Sequence, residues 1–299
     1  MSEYHVPVML DECLDGLNIK TDGIYVDVTY GGGGHSKAIL ERLGPDGILV
    51  AFDQDADAQQ NLITDTRLIF SDQNFRSLKK VLRLSGIDKV DGILADLGVS
   101  SHQIDDRSRG FSFMGGKDLD MRMDRSSKLD AVKVLNTYSE ENLVRIFSEY
   151  GEVRNSKTLA SKIVAEREKE PLAKVAELLS VLDGLVFGKP NRYIAQVFQA
   201  IRIEVNDEMG ALKEMMESTV DVLKTEGRLV VMSYHSLEDR IVKRLMKTGN
   251  TAGEVKKDFY GAIERPFKIL SKKAIEAQKK EQELNTRSRS AKLRIAEKR

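Results

Sequence analysis

Cysteine is nearly absent from this 299-residue sequence, in which Cys13 is the only example. An intrachain disulfide is therefore excluded, and neither a Cys-x-x-Cys pair nor a His-Glu-x-x-His motif is present to form a zinc site, so we expect no metal. No stretch approaches the roughly 18 uninterrupted apolar residues of a membrane span. The first residues also lack the basic-then-apolar order of a signal peptide. These absences predict a cytoplasmic protein without membrane contact.

A surplus of charge of one sign is also missing, because Lys plus Arg and Asp plus Glu both number 47. This balance argues against a protein that coats nucleic acid through a large positive field. The charge is nevertheless uneven, since residues 265–299 contain twelve Lys or Arg and four Glu. Two interpretations of this tail stay open: a solvated, partly helical segment, or a surface that meets phosphate.

Strand and helix signals alternate in the first third of the chain. Short apolar runs lie at 24–28, 48–53, 68–70 and 92–96, with room for a helix between each pair. Such alternation is typical of a parallel sheet that is covered by helices on both faces. A fifth strand follows at 228–233. The sequence therefore predicts an α/β protein with a Rossmann-like sheet.

The segment between the fourth and fifth strands shows helical spacing and no comparable strand. Ser139 is a predicted N-cap, a second helix is expected over 155–168, Pro171 is expected to open a third, and helical spacing continues from 192 to 223. We predict an inserted all-helical domain over 105–204, whereas 1–104 and 205–299 form the Rossmann-like domain. The insertion is expected beside the carboxyl ends of the strands, where open α/β sheets bind ligands.

A glycine-rich turn, YGGGGHS at 30–36, follows the first strand. Glycine permits positive φ there and lets a ligand approach the backbone. The second strand ends in Asp53, whose carboxylate can accept hydrogen bonds from both hydroxyls of a ribose. These features indicate a site for a nucleoside cofactor, either a nicotinamide dinucleotide or S-adenosylmethionine.

The spacing of small residues discriminates between these cofactors. The dinucleotide fingerprint requires a small residue three positions beyond its second glycine, and the match fails because Lys37 follows Gly34 at that distance. The pattern acid-x-Thr-x-Gly-x-Gly-Gly, which begins at Asp27, is instead what methyltransferases show. Asp27 also has an alternative interpretation, as a carboxylate that caps the glycine turn.

Longer motifs extend along the whole chain: HVPVML at 5–10, DVTYGGGGHS at 27–36, DGILADLGVSS at 91–101, RGFSFM at 109–114, LDMRMD at 119–124, FQAIRI at 198–203, SYHSLEDR at 233–240 and RSRSAKLR at 287–294. They resemble the RsmH (MraW) family, the ribosomal RNA small-subunit cytosine-N4 methyltransferases. Two positions differ from many members of the family: various residues occur in place of Gly32, and Phe occurs in place of Tyr234. The second departure adds a hydroxyl near the expected substrate face.

The resemblance implies S-adenosylmethionine-dependent methylation of N4 of a specific cytidine in the decoding region of 16S ribosomal RNA, within the small ribosomal subunit. No metal is implied, and a homodimer stays open. Asp27 would lie near the methionine end of the cofactor. Positions that match the family's cofactor contacts are Gly33, Gly34, His35, Asp53, Phe75, Asp96 and Gln103. From the residues alone, Phe75 also fits a core position and His35 a polar helix end.

Asp96 ends the fourth strand, where a buried carboxylate without a function would be costly. We expect it to be catalytic, because it can accept N–H hydrogens from the cytosine amine and orient the nitrogen toward the methyl carbon. The alternative is that Asp96 only binds the amino group of the cofactor.

The target base must be unpaired or turned out to reach such a site, and aromatic side chains often receive it. The predicted RNA contacts, which combine aromatic faces with positive charge in a recognition domain, are Arg109, Phe111, Phe113, Arg122, Tyr234 and His235. Phe111 and Phe113 have an alternative interpretation as a hydrophobic plug. We expect the assembled subunit to be preferred over free RNA.

Other functions also fit parts of the sequence. A methyltransferase could act on DNA cytosine, adenine or a protein amide, and a non-catalytic protein could use the sheet to bind ribosomal precursors without any affinity for the cofactor. A nicotinamide oxidoreductase agrees least with the glycine spacing.

Overall fold

The structure, a computed structural model, describes residues 7–255, 257, 259–261 and 263–299. His5 and Val6, which begin the first family motif, lie outside the described residues. The chain divides into two compact units, the first formed by Met1–Gly98 and Met209–Arg299 and the second by Val99–Glu208. The domain boundaries expected from the sequence, 104/105 and 204/205, lie a few residues away and stay predictions. Among the described helices, none is long and apolar enough to cross a membrane.

The first unit contains a sheet with eight described strands. The strands are β1 Ile24–Asp27, β2 Ile48–Phe52, β3 Leu68–Ser71, β4 Val90–Asp96, β5 Leu223–Ser233, β6 Phe267–Ile269, β7 Ile275–Glu276 and β8 Lys292–Lys298. Their order is β3-β2-β1-β4-β5-β8-β6, and β7 also pairs with β8. Strands β1 to β5 are parallel, whereas β8 is antiparallel to β5, β6 and β7. The predicted Rossmann-like α/β sheet is confirmed.

The central strands are apolar at nearly every position because both faces of a parallel sheet are covered. In β4, every residue before Asp96 is buried. Ile93 pairs with Val26 in β1 and with Leu229 in β5, and all three side chains are fully buried. Asp96, as the polar last residue of this strand, therefore marks the carboxyl edge of the sheet.

The helices, in chain order, are α1 Leu10–Leu17, α2 Gly34–Arg42, α3 Leu78–Leu84, α4 Ser101–Asp105, α5 Ala131–Thr137, α6 Glu140–Glu149, α7 Ser156–Arg167, α8 Val175–Leu182, α9 Pro190–Asn206, α10 Glu208–Val222, α11 Ser236–Thr248 and α12 Lys279–Leu284. Helices α4 to α9 belong to the second unit. Its core includes the fully buried Ile146, Phe147, Ile163 and Ile201. The predicted N-cap is confirmed, since the Ser139 hydroxyl accepts a hydrogen bond from the backbone of Asn142 at 3.3 Å.

The helix predicted to open at Pro171 is α8, which begins later, at Val175. The backbone amide of Leu119 donates to the carbonyl of Ala173, and that of Val175 donates to the carbonyl of Lys117. This pairing holds the segment after Pro171 extended. The carboxylate of Glu177 then accepts hydrogen bonds from the amides of residues 173 and 174, which fixes the start of α8 there.

The helical spacing predicted from 192 to 223 is confirmed, but it is divided between two helices, α9 and α10. Asp207 separates them with a left-handed φ of 47°. The side chain of the preceding Asn206 donates to the carbonyl of Met121 and accepts from the amide of Met123, both at 2.7 Å, so it ties the end of α9 to a distant loop. The second helix ends at Val222, and β5 begins immediately after it.

The basic tail ends within the sheet, so its interpretation as a solvated, partly helical segment is wrong for the last residues. Helix α12 is its helical part, but β8 pairs with β5 from Arg228↔Glu297 to Ser233↔Lys292. Leu293 of β8 is fully buried, and Arg294 binds Asp239 through two hydrogen bonds of 2.6 and 3.0 Å. Alternation of apolar and charged residues in 292–298 therefore determined the structure more than the charge surplus did.

Truncating Leu293 to alanine tests whether the tail belongs to the core. We expect Leu293→Ala to lower the free energy of unfolding by about 2–5 kcal/mol, because it leaves a cavity beside the sheet. Leu284→Ala is the matched control, since that side chain is 81% exposed and its loss should change stability by less than about 0.5 kcal/mol. Denaturant unfolding monitored by circular dichroism measures both, and equal small effects would contradict the buried tail.

Candidate functional site

The glycine turn joins β1 to α2 at the carboxyl edge of the sheet. Gly31 and Gly33 have φ of 52° and 76°, in the left-handed region that favours glycine. A Cβ at Gly33 would lie 2.6 Å from the hydroxyl oxygen of Tyr30. At Gly32, which is exposed, a Cβ would meet no described atom within 4 Å. The turn therefore leaves the backbone around Gly32 open to a ligand.

Asp53 follows β2 and is tied to the glycine turn. Its Oδ2 accepts a hydrogen bond from the Gly31 amide at 2.7 Å, and its Oδ1 accepts one from the Asp55 amide at 2.9 Å. Each carboxylate oxygen retains acceptor capacity for a further donor. Burial raises the pKa of Asp53 from 3.8 to about 6, since desolvation outweighs the two backbone hydrogen bonds.

Asp27, the last residue of β1, is almost fully buried. Its carboxylate accepts hydrogen bonds from the amide and the hydroxyl of Thr29, at 3.1 and 3.3 Å, and from the hydroxyl of Ser36 at 2.7 Å. These contacts agree with the alternative interpretation of Asp27 as a cap of the turn. Its expected place near the methionine end of the cofactor stays a prediction.

Asp96 ends β4 between two side chains from other elements. Its Oδ1 accepts a hydrogen bond from the hydroxyl of Tyr234 at 2.8 Å, and its Oδ2 lies 3.9 Å from Nδ1 of His35. The Asp96 amide donates to the hydroxyl of Thr29 at 2.7 Å. Burial raises the pKa of Asp96 from 3.8 to about 6, although His35 and Tyr234 act in the opposite direction. The side chain keeps 24% of its surface exposed, so a ligand can reach it.

His35 lies in the first turn of α2 and is buried. Its Nε2 is 3.2 Å from the carbonyl oxygen of Val8. Because a carbonyl only accepts, this nitrogen carries a hydrogen, and Nδ1 is the nitrogen that faces Asp96. The ring thus lies between the chain before α1 and the carboxyl edge of the sheet. A residue that only ended a helix with a polar group would not need both contacts.

Tyr234 and His235 connect β5 to α11. The buried Glu238 accepts hydrogen bonds from the amides of Tyr234 and His235 at 2.8 and 3.2 Å, and Nδ1 of His235 accepts one from the Glu238 amide at 3.4 Å. This reciprocal pair is a capping box. The expected role of His235 in shaping the substrate site stays a prediction, while its observed contacts stabilise the start of the helix.

Phe75 begins a short 3-10 turn, Phe75–Ser77, after β3. Because β3 is parallel to β2, Phe75 follows a strand that ends at the same edge as Asp53. The ring is partly exposed, which leaves a face that can stack on a base. Packing on adenine stays a prediction.

Gln103, the remaining predicted cofactor contact, belongs to the second unit. It is buried in α4. Its side-chain Oε1 accepts a hydrogen bond from the backbone amide of Ser100 at 3.0 Å, and its backbone amide donates to the Ser100 hydroxyl at 3.2 Å. This is a capping box. Its contact with the cofactor stays a prediction.

The two predicted RNA-binding arginines organise the loop between α4 and α5. Arg109 is only 1% exposed, and its Nη2 donates to the carbonyls of Arg122 and Met123 at 2.9 and 3.2 Å. Arg122 binds the carboxylate of Asp120 through two hydrogen bonds of 2.9 and 2.7 Å. Direct contact of either guanidinium with RNA stays a prediction, and for Arg109 it requires the loop to open.

Phe111 and Phe113 are partly buried against the helical core of the second unit. The Phe113 ring lies 5.8 Å from that of Phe198 in an edge-to-face arrangement, and the Arg109 guanidinium lies 5.7 Å from the centre of the Phe111 ring. Both rings therefore pack on the core of their own unit, and the alternative interpretation, a plug that closes the insertion onto the sheet, stays untested. A role in receiving the base stays a prediction.

Three residues that shape the site were not identified as such from the sequence. Thr29 and Ser36 orient the carboxylates, and Cys13 of α1 is fully buried nearby, where burial and the adjacent Asp96 raise the pKa of its thiol. The Asp-x-Thr order at 27–29 is a signal for such a turn, because an Asp side chain commonly binds the amide two residues later. The position of Cys13 has no comparable local signal.

These features define a Rossmann-like protein with a nucleoside-cofactor site: a parallel sheet, a glycine turn after β1 and acids at the ends of β2 and β4. Antiparallel β8 lies between β5 and β6, whereas dinucleotide-binding sheets follow the order 3-2-1-4-5-6. This difference weighs against the nicotinamide alternative. The chain belongs to the MraW methylase family, whose model matches residues 2–299, and the predicted family is confirmed.

Relatives in this family match the chain over nearly its full length. It is 53% identical over 297 residues to ribosomal RNA small subunit methyltransferase H of Bacteroides thetaiotaomicron, covering 99% of this chain and 97% of that protein. Identity is 55% over 291 residues with the protein of the same name from Flavobacterium psychrophilum, covering 97% and 100%. Among solved structures, an rRNA methylase from Streptococcus thermophilus matches with a TM-score of 0.40 and 13% identity, covering 97% of this chain and 93% of that one.

A Cβ at Gly33 tests the conformation of the turn. We expect Gly33→Ala to lower the free energy of unfolding by about 1–3 kcal/mol, because it combines a positive φ with a clash against Tyr30. The matched control is Gly32→Ala, which meets open space and should cost less than about 1 kcal/mol. Denaturant unfolding of both proteins makes the comparison, and equal losses would argue against the described turn.

Proposed function

We propose that this protein uses S-adenosylmethionine to methylate N4 of a specific cytidine in the decoding region of 16S ribosomal RNA, within the small ribosomal subunit. Membership of the MraW methylase family and identity above one half to proteins named ribosomal RNA small subunit methyltransferase H support it. The observation that carries the chemistry is Asp96, a partly exposed carboxylate at the sheet edge with one oxygen held by Tyr234.

The first unit offers a fitting cradle for the cofactor. The open backbone at Gly32 admits a ligand that a side chain would obstruct. Asp53 has acceptor capacity for ribose hydroxyls beyond its bonds to the Gly31 and Asp55 amides. We propose that Gly33, Gly34, His35 and Phe75 complete the site, and that Gln103 also contacts the cofactor.

When bound, S-adenosylmethionine supplies a methyl group carried by a positively charged sulfur. The cytosine amine is a weak nucleophile because its lone pair is drawn into the ring, so orientation must contribute much of the rate enhancement. Asp96 Oδ2 accepts an N–H hydrogen of the amine and directs the nitrogen lone pair toward the methyl carbon. When the carbon–nitrogen bond forms, the sulfur–methyl bond would break, the donor would leave as neutral S-adenosylhomocysteine, and the amine would become cationic. Asp96 would then accept the proton that the amine releases.

We propose that the helical insertion, 105–204, recognises the RNA, and that the substrate cytidine is unpaired or turned out of its stack. Arg109, Phe111, Phe113 and Arg122 are the proposed contacts there, and Tyr234 and His235 are those of the first unit. The proposed reaction needs no metal, and a cytoplasmic site of action follows from a ribosomal substrate. The assembled subunit is the proposed substrate form, and a homodimer is compatible with this function.

Replacing Asp96 by asparagine tests the proposed chemistry. We expect Asp96→Asn to retain the fold and bind S-adenosylhomocysteine within about threefold of the original affinity, while kcat on small ribosomal subunits falls at least about 100-fold. Subunits from cells without the gene are the substrate, and mass spectrometry of nucleosides measures N4-methylcytidine. Asp46→Asn, an exposed change before β2, is the control. Loss of cofactor affinity with unchanged kcat at saturation would instead assign Asp96 to cofactor binding alone.

The raised pKa of Asp53 predicts a pH dependence of cofactor binding. The ionised carboxylate accepts from hydroxyls, so affinity should be constant above about pH 6 and fall by up to about tenfold per pH unit below it. Calorimetry with S-adenosylhomocysteine from pH 5 to 8 measures this change. Asp53→Asn should remove the dependence, whereas Asp96→Asn should retain it. If the affinity of the unsubstituted protein stays constant down to pH 5, the assignment of Asp53 to cofactor binding is wrong.

A further inference from the structure

We propose that Tyr234 is a positioning residue, whose hydroxyl holds Oδ1 of Asp96 so that Oδ2 is the oxygen presented to the substrate amine. This inference rests on the proposed function and deepens it. It adds a role for the Tyr234 hydroxyl to the proposed RNA contact of this residue.

Tyr234 is held through its backbone and by packing of its ring. Its backbone amide donates to Glu238, at the start of α11, at 2.8 Å. The side chain is partly buried and packs against a hydrophobic core cluster of the first unit. The hydroxyl reaches Asp96 at 2.8 Å. A ring packed in this way is suited to directing one polar atom at a defined point.

The hydroxyl makes the two oxygens of Asp96 unequal. A carboxylate only accepts, so Tyr234 donates to Oδ1. Burial, together with the charge of Asp96, raises the pKa of Tyr234, so the hydroxyl keeps its proton. Oδ2 has His35 Nδ1 at 3.9 Å, beyond hydrogen-bond distance. An incoming N–H donor therefore finds Oδ2 as the better acceptor.

The groups that face Asp96 determine how its charge responds to loss of the hydroxyl. They come from five elements: Cys13 on α1, Asp27 on β1, His35 on α2, Tyr234 after β5 and Glu238 on α11. Burial and the two acidic residues favour the protonated carboxyl, while His35 and the Tyr234 hydroxyl favour the carboxylate. Removing the hydroxyl therefore raises the pKa of Asp96.

Tyr234→Phe separates the hydroxyl from the ring. We expect the acidic limb of the kcat/KM profile, which reports ionisations of the free enzyme, to move upward by roughly half to one pH unit from its expected position near pH 6. The KM for small ribosomal subunits should stay within about twofold, because the ring is retained. If the ring stacks on the base and the hydroxyl has no role, Tyr234→Phe will leave the pH profile and KM unchanged, and Tyr234→Leu will raise KM. That pair of results overturns the proposal.

Tyr25→Phe is the matched control, because it also removes a hydrogen-bonded tyrosine hydroxyl, one that accepts from the backbone amide of Lys20 at 2.7 Å. Tyr25 lies near the beginning of β1, away from the carboxyl edge. Its removal should lower stability without moving the pH profile. A similar shift in both variants would show that the pH profile responds to a general loss of stability, and this result would overturn the role of Tyr234.

A titration of the carboxyl carbons by NMR gives a readout that does not need activity. The Asp96 signal is assigned by its loss in Asp96→Asn, and its midpoint should rise in Tyr234→Phe. Coinciding midpoints in the original and Tyr234→Phe proteins would overturn the proposal. Absence of RNA methylation by the original protein would instead contradict the proposed function, while the titration would still decide whether Tyr234 acts on Asp96.

Discussion

Desolvation of carboxylates at the sheet edge is the constraint on which the site depends. Placing an ionised carboxylate away from water costs free energy unless donors or cations compensate it. Asp27 is almost fully buried, and three hydrogen bonds from Thr29 and Ser36 compensate its charge. Asp53 and Asp96 are compensated less completely, so both have pKa values raised to about 6. Raised pKa values of this kind are typical of functional carboxyls, whereas Asp27 has the contacts of a structural one.

The glycine turn connects all three carboxylates mechanically. The Gly31 amide binds Asp53, while Thr29 donates to Asp27 through its hydroxyl and accepts from the Asp96 amide at the same oxygen. A change in the turn therefore reaches the acids at the ends of β1, β2 and β4 together. The same peptide segment that admits a ligand also sets the orientation of the groups expected to bind it and to act on the substrate.

Local patterns were sufficient to predict β1 to β4 and the N-cap of α6 at Ser139, because each depends on residues close in sequence. The boundaries that the sequence misplaced depend on distant partners. Asn206 ends α9 by binding the loop at Met121 and Met123, and pairing with residues 117–119 delays α8. Likewise, β8 is a strand because it pairs with β5, some sixty residues earlier, and a charge count along the tail carries no information about that pairing.

The candidate site shows the same division. Positions at strand ends predicted Asp53 and Asp96, because parallel strands bring their carboxyl ends to one edge. Which donors bind those acids depends on the fold, and Tyr234 is 138 residues from Asp96 in sequence. A tyrosine offers a ring for stacking and a hydroxyl for hydrogen bonding, and residue type alone does not say which part is used. Arg109 gives the parallel case, since its guanidinium binds backbone carbonyls in a buried loop. The role of either side chain must therefore be argued from the hydrogen bonds that its donors already make in the folded chain.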